Sequence, residues 1–134
     1  MLEYRTFGPE YLADAKALYE IEGWRAYLGN DENLRAAFAD SLWICGAFEG
    51  DRLIGFVRCV GDGQHILLVQ DLIVDPAYRG KGIGTALFKA AWEKYAHVRM
   101  FMVITDIVDP GANRFYQRHG MKPLEKGSMI GYFR

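Results

Sequence analysis

Two cysteines, four prolines and three histidines in 134 residues leave little room for several kinds of chemistry. Cys45 and Cys59 lie far apart, each inside an apolar strand-like run, with no second Cys or His close by. That pattern favours buried free thiols in a reducing, cytoplasmic setting over a disulfide, and it speaks against zinc or any other metal. His65, His97 and His119 show neither metal nor triad spacing and read as surface or strand-end residues. No apolar run approaches the ~20 residues that span a bilayer, and the opening "MLEYRTFGPEY" lacks a signal-peptide core, so no membrane partner is expected. Opposite charges nearly cancel to a formal net charge of -1. Such a chain has no general attraction for nucleic acid or anionic lipid, and any basic site must be local.

What is present is an ordinary globular composition, 51% hydrophobic and 25% charged, in a chain long enough for one core without a metal or disulfide staple. No repeat, linker or low-complexity stretch divides residues 1–134, which read as a single domain. "LEYRTF" alternates as a first strand and ends at Gly8-Pro9. Tyr11, Leu12, Ala15, Leu18 and Tyr19 then recur at helical spacing. "EGWRAYLGN" interrupts that helix, and Asn30 or Asp31 can cap a second one carrying Leu34, Ala37 and Phe38. From Leu42 the period shortens. Two strands joined at Glu49-Gly50-Asp51-Arg52 read as a hairpin, and "HILLVQDLIVDP" as a more deeply buried third strand. A helix follows the glycines at positions 80–84. "VRMFMVITDIV" reads as a strand, "PGANRFYQRHG" as a short helix stopped by Gly120, and "MKPL" and "MIGYFR" as two terminal strands. The predicted order is β-α-α-β-β-β-α-β-α-β-β.

The stretch "VDPAYRGKGIGTALF", residues 74–88, carries the strongest chemical signal. Glycine at alternate positions costs conformational entropy, so it marks a tight bend or a close approach to the main chain. Strand, glycine turn and helix together make an anion pocket, because the first helical N–H groups point outward and the helix dipole adds positive potential. Arg79 and Lys81 can add charge from the rim. The P-loop pattern fails, since the lysine lies between glycines and Thr85 follows the last one. The dinucleotide pattern G-x-G-x-x-G fails as well, ending on Thr85 or Leu87. Arg79-Gly80-Lys81-Gly82-Ile83-Gly84 does fit R/Q-x-x-G-x-G/A. It resembles the acetyl-CoA pyrophosphate loop of the GCN5-related N-acetyltransferases, a family whose element order matches the one above over essentially the whole chain. The resemblance implies an α/β fold with a central mixed, mostly antiparallel sheet of six to seven strands and about four flanking helices. Within that family, "GWRAY", residues 31–63 and "VQDLIVDPAYRGKGIG" are similar to the small bacterial and plastid subgroup related to arylalkylamine (serotonin) acetyltransferases.

The same resemblance implies roles for other positions. Arg79, Gly80, Lys81, Gly82, Ile83, Gly84 and Thr85 would hold the pyrophosphate, largely through backbone N–H groups. Ile73 and Val74, with Leu72 beside them, would offer main-chain groups to the pantetheine arm as an added strand. Tyr116, in Tyr116-Gln117-Arg118-His119-Gly120-Met121, would protonate or hydrogen-bond the departing thiolate, unless it only packs on the sheet. Where relatives carry a pantetheine-contacting asparagine this chain has Asp109. Asn113, a turn later, either shares that contact or is an exposed helix residue. Asp71 interrupts an apolar strand, so it needs a partner or a purpose. It is either the base that takes the amine proton or a structural carboxylate receiving backbone N–H bonds. Trp24 and Tyr27 line either an acceptor pocket or a helix junction.

The expectation is therefore an N-acetyltransferase that passes an acetyl group from acetyl-CoA directly to a primary amine of a small molecule or peptide. It would use no metal and act as a monomer or homodimer. Two rivals are a non-catalytic acyl-CoA-binding module and a nucleotide-binding domain of unrelated chemistry.

Overall fold

A computed structural model describes all of residues 1–134. The chain divides into two compact units, Met1–Val103 and Ile104–Arg134. The first begins with β1 (Leu2–Thr6) and a 3-10 turn at Pro9–Tyr11, which leads into α1 (Leu12–Glu22). A second 3-10 turn, Arg25–Tyr27, precedes α2 (Asp31–Ala39). There follow β2 (Trp43–Glu49), β3 (Arg52–Gly61), β4 (Ile66–Val74), a 3-10 turn at Pro76–Tyr78, α3 (Ile83–Lys94) and β5 (Met100–Val103). The second unit holds α4 (Pro110–Arg118) and a 3-10 turn at Leu124–Gly127.

The five strands lie in sequence order in one sheet. β1 to β4 pair antiparallel, and β4 with β5 parallel. The parallel step requires a crossover, and α3 supplies it. α1 and α2 cover one face with Leu12, Leu18, Tyr19, Leu34 and Phe38 against Ile44, Phe48, Phe56 and Ile73. α3 covers the other with Ile83, Leu87 and Ala91 against Val57, Cys59, Leu67 and Val69. Both cysteines are free and buried on that second face, where burial pushes the Cys59 thiol up to about 12.

Several local signals act as the sequence suggests. Asn30 caps α2 by accepting the Asn33 N–H at 3.0 Å. Gly50 takes φ 61° in the β2–β3 turn, as a two-residue hairpin loop demands. At the β3–β4 turn, Asp62 Oδ1 accepts N–H bonds from Gln64, His65 and Ile66; these bonds hold its carboxyl at about 2. α1 and α4 both end in the glycine-capped pattern of paired bonds. In α1, Trp24 N–H reaches Tyr19 C=O at 3.0 Å and Gly23 N–H reaches Glu20 C=O at 3.2 Å. In α4, Met121 N–H reaches Tyr116 C=O at 3.0 Å and Gly120 N–H reaches Gln117 C=O at 3.0 Å. The Tyr-x-x-x-Gly spacing is thus a helix stop in its own right.

The expectation of six to seven strands is corrected to five. "MKPL" cannot ladder through Pro123, which has no N–H, and the chain instead coils into the Leu124–Gly127 turn. Met129 N–H is taken locally by Leu124 C=O, and residues 129–134 carry no regular structure. β5 is also shorter than "VRMFMVITDIV" suggests. Asp106 folds the segment after it into a turn by accepting the N–H of Val108 on its side chain and that of Asp109 on its carbonyl.

Candidate active site

The glycine loop is built from β4 onward. Asp75, buried at its start, caps the next turn through Ala77 N–H, pairs with Arg52 and donates its own N–H to Ile54 C=O. Beyond it Gly80 and Gly82 adopt φ 77° and 82°, a region that side-chain-bearing residues enter at about 1–2 kcal/mol. A Cβ at either would meet no protein atom within 4 Å, so backbone conformation and open space, not packing, account for glycine here. Gly82 caps α3, and Gly84 sits in its first turn, followed by Thr85. Ile83 turns its side chain into the core, leaving only its main chain for the loop. No other group of the protein accepts the N–H of Gly80, Lys81, Gly82, Ile83 or Gly84. These donors, at the positive end of a long helix, suit a phosphate.

Arg79 and Lys81 differ in freedom. The Arg79 guanidinium pairs with Glu22 at the end of α1 and donates from Nε to Val74 C=O at 3.2 Å. These contacts tie the loop to α1 and β4 while the Arg79 side chain stays half exposed. The Lys81 Nζ lies 5.4 Å from the Tyr78 ring centroid, and its charge remains available.

Along β4 the parallel partner ends early. β5 pairs with Ile66 through Val69 and no further, so no strand flanks β4 from Gln70 to Val74 on that side. The Asp75-to-Ile54 bond fixes which groups face which edge. Alternation from there directs the backbone groups of Ile73 to Phe56 of β3 and those of Leu72 and Val74 to the unpaired edge. Of the three residues expected to pair with an extended ligand, Leu72 and Val74 present main-chain groups and Ile73 does not.

A bulge makes the rest of the site. Arg58 pairs with Asp71 but Cys59 pairs with Val69, so Gln70 is an extra residue in β4. Without it Asp71 would share the face of Leu67 and Val69 against apolar α3. With it, Asp71 turns toward α1 and meets three side-chain donors. Tyr19 Oη donates to Oδ2 at 2.7 Å, Arg58 Nε to Oδ2 at 2.6 Å and Tyr27 Oη to Oδ1 at 2.6 Å. Gln70 Nε2 donates to Tyr27 Oη at 2.9 Å, so two consecutive strand residues reach one hydroxyl. The Tyr27 ring stacks on Tyr19 with centroids 4.3 Å apart, and Trp24 lies 6.5 Å from Tyr27. Burial and the Asp71 carboxylate both push the Tyr19 and Tyr27 phenols upward. For Arg58, burial alone would lower the value, but Asp71 and the phenols reverse this and the net direction is upward.

This arrangement corrects two expectations for Asp71. Its donors are side chains, not backbone N–H groups. Its side chain is 0% exposed, as is closely true of Arg58 at 5%, so an acceptor molecule cannot touch it. Tyr27, half-buried, is the member of the network that reaches the surface region where Gln70 is exposed. Arg58, Tyr19, Gln70 and Glu22 were not singled out from the sequence. The readable signal was a lone Arg in "LIGFVRCV" opposite a lone Asp in "ILLVQDLIV", opposite charges in two strands otherwise apolar.

In the second unit, Asp109 caps α4 by accepting Ala112 N–H at 3.0 Å. Asn113 Nδ2 donates to the carbonyls of Asp106 and Asp109 at 2.9 and 2.7 Å. Its amide hydrogens therefore hold its own loop, which leaves only the side-chain oxygen for any ligand. Tyr116 lies on the same helix, its ring edge-on to Phe115.

Comparison with known proteins identifies the family and the fold. The acetyltransferase (GNAT) family model matches residues 5–121. An uncharacterized ycf52-like N-acetyltransferase of Prochlorococcus marinus is 30% identical over 126 residues, covering 91% of this chain and 68% of that protein. A GNAT-family acetyltransferase from Streptococcus pneumoniae superposes with a TM-score of 0.85 at 31% identity, covering 100% of this chain and 97% of that one. The PaiA N-acetyltransferase of Thermoplasma acidophilum, solved with coenzyme A, shares the fold with a TM-score of 0.72 at 22% identity over 91% of this chain and 90% of its own. The chain belongs to the acetyltransferase (GNAT) family and is an enzyme of the N-acetyltransferase type, which moves acetyl groups from an acyl-CoA donor.

Proposed function

We propose that the protein acetylates a primary amine of a small molecule or peptide, with acetyl-CoA as donor and direct transfer between the two. The observation that carries this reading is the row of unclaimed N–H groups from Gly80 to Gly84 at the start of α3, next to an edge of β4 with no strand partner. The residues present fit the coenzyme. Gly80, Lys81, Gly82, Ile83 and Gly84 would hold its diphosphate through main-chain donors, with Thr85 in the same turn and Lys81 adding charge. Leu72 and Val74 would pair with the amide groups of its pantetheine arm. Bound there, the coenzyme supplies an activated acetyl thioester.

The chain's own residues then have three tasks. Tyr116, by its place in the family motif, hydrogen-bonds or protonates the leaving sulfur, which stabilises the thiolate as it departs. Trp24 and Tyr27 form an aromatic wall for the acceptor, supporting a flat or cationic amine, in keeping with the arylalkylamine-type resemblance. Asp71 serves the site from behind Tyr27.

The test is acetyl-CoA with a broad panel of amines, followed by free thiol release and by mass of the acetylated product. Amine-dependent release supports the proposal. Acetyl-CoA binding with no release on any amine would replace it with a binding module. A thermal shift with ATP or NAD and none with acetyl-CoA would end it.

A further inference from the structure

We infer that the Tyr27 hydroxyl is the group that meets the acceptor's amino nitrogen, and that Asp71 is a positioning residue acting through it. The inference rests on the acetyl-transfer reading above and names how that site chooses its acceptor.

The argument is one of hydrogen-bond capacity. Asp71 faces the Arg58 guanidinium and the Tyr19 and Tyr27 hydroxyls, and as a carboxylate it can only accept. The single hydrogen of Tyr27 is therefore fixed on Asp71 Oδ1. The same hydroxyl oxygen lies 2.9 Å from the Gln70 amide, and since its hydrogen is already directed elsewhere, Gln70 must present an N–H to it. Oη is left as an acceptor and nothing else. An oxygen locked in that state selects a partner bearing a hydrogen, which an amino group has and an ether, ester or carboxylate lacks. The lock depends on the buried part of the network. Tyr19 is 0% exposed and Arg58 and Asp71 nearly so, so water does not compete for the bonds among these three, which hold the carboxylate in place for Tyr27. Ring position is fixed as well, by the stack on Tyr19 at 4.3 Å and by the glycine-capped end of α1, which sets Trp24 and the turn that follows it.

The experiment compares wild type, Tyr27→Phe, Asp71→Asn and the double variant in steady state on an amine that wild type acetylates, with acetyl-CoA affinity measured by titration calorimetry. Tyr27→Phe keeps the ring and its stack. It is expected to lower kcat/KM for the amine roughly tenfold, the worth of one hydrogen bond, mainly through the amine KM, with acetyl-CoA affinity within twofold of wild type. Asp71→Asn is expected to lower kcat/KM for the amine when Tyr27 is present. Added to Tyr27→Phe it should change nothing further, because its effect passes through a hydroxyl that is no longer there. Undiminished activity in Tyr27→Phe overturns the inference while leaving acetyl transfer intact. An equal loss from Asp71→Asn with and without the Tyr27 hydroxyl also overturns it, because the carboxylate would then act independently. A wild type inactive on every amine overturns both this and the functional proposal. If Asp71→Asn does not fold, as circular dichroism would show, the Tyr27→Phe comparison decides alone.

Discussion

Removing either half of the Arg58–Asp71 pair should be about twice as damaging as removing both. The two groups sit 2.6 Å apart with side chains 5% and 0% exposed. Arg58→Met leaves a buried carboxylate with two phenols and no counter-charge. Asp71→Asn leaves a buried guanidinium, and each single change should cost about 3–5 kcal/mol. In the double variant no charge remains. The Asn oxygen can still accept from Tyr19 or Tyr27, so the loss should be about 2–3 kcal/mol, against roughly 6–10 if the single losses simply added. Urea unfolding followed by circular dichroism measures this directly. With a slope of about 2 kcal/mol per molar, each single variant should lose roughly 2 M in midpoint and the double about half that. The whole fold is worth only about 5–15 kcal/mol, so unfolding should run at low temperature with the slope checked for constancy. Additivity of the two changes within about 0.5 kcal/mol, or singles that each lose under about 1 kcal/mol, would refute the reasoning. It would mean that water reaches the pair.

Other outcomes follow from the same geometry. Gly82→Ala forces a Cβ into a left-handed position with open space around it, so stability should fall by about 1–2 kcal/mol; acetyl-CoA affinity by calorimetry should fall tenfold or more, and an unchanged affinity would detach the loop from the coenzyme. Tyr116→Phe should lower turnover with acetyl-CoA affinity retained, and unchanged turnover would remove Tyr116 from the mechanism. The Cys59 thiol, raised by burial from 9.0 to about 12, stays protonated in the fold while the unfolded chain ionises above about pH 9. The contribution of Cys59 is therefore complete below about pH 9 and is lost as pH rises toward about 12, by at most about 4 kcal/mol. Cys59→Ala should make the alkaline limb of thermal melts shallower, the raised Tyr19 and Tyr27 phenols supplying the rest, and an unaltered limb would contradict the assignment.

Much of the fold was readable because its signals are local. The β2–β3 hairpin, the Asn30 cap, the glycine stop after α4 and the loop ahead of α3 each depend on neighbouring residues, and each forms where the sequence put it. The terminal strands were misread for the complementary reason. "MIGYFR" alternates like a strand, but alternation does not provide a partner edge, and residues 129–134 form no strand. The site divides in the same way. Glycines 80, 82 and 84 announce themselves, whereas the Gln70 bulge that turns Asp71 toward α1 leaves no mark in a string of apolar letters. Arg79 illustrates the limit well. Its charge suggests a phosphate, but its pairing with Glu22, far away in the chain and brought close only by packing of α1, is not legible in the sequence.

The central claim is that main-chain amides at the start of α3 bind the diphosphate of coenzyme A. Amide chemical-shift mapping of 15N-labelled protein tests it most directly, by titration first with acetyl-CoA and then with S-acetylpantetheine, which lacks the diphosphate. The account expects the Gly80, Lys81, Gly82, Ile83 and Gly84 resonances to move strongly with the first and little with the second. Resonances of these five that stay in place while acetyl-CoA binds would contradict it.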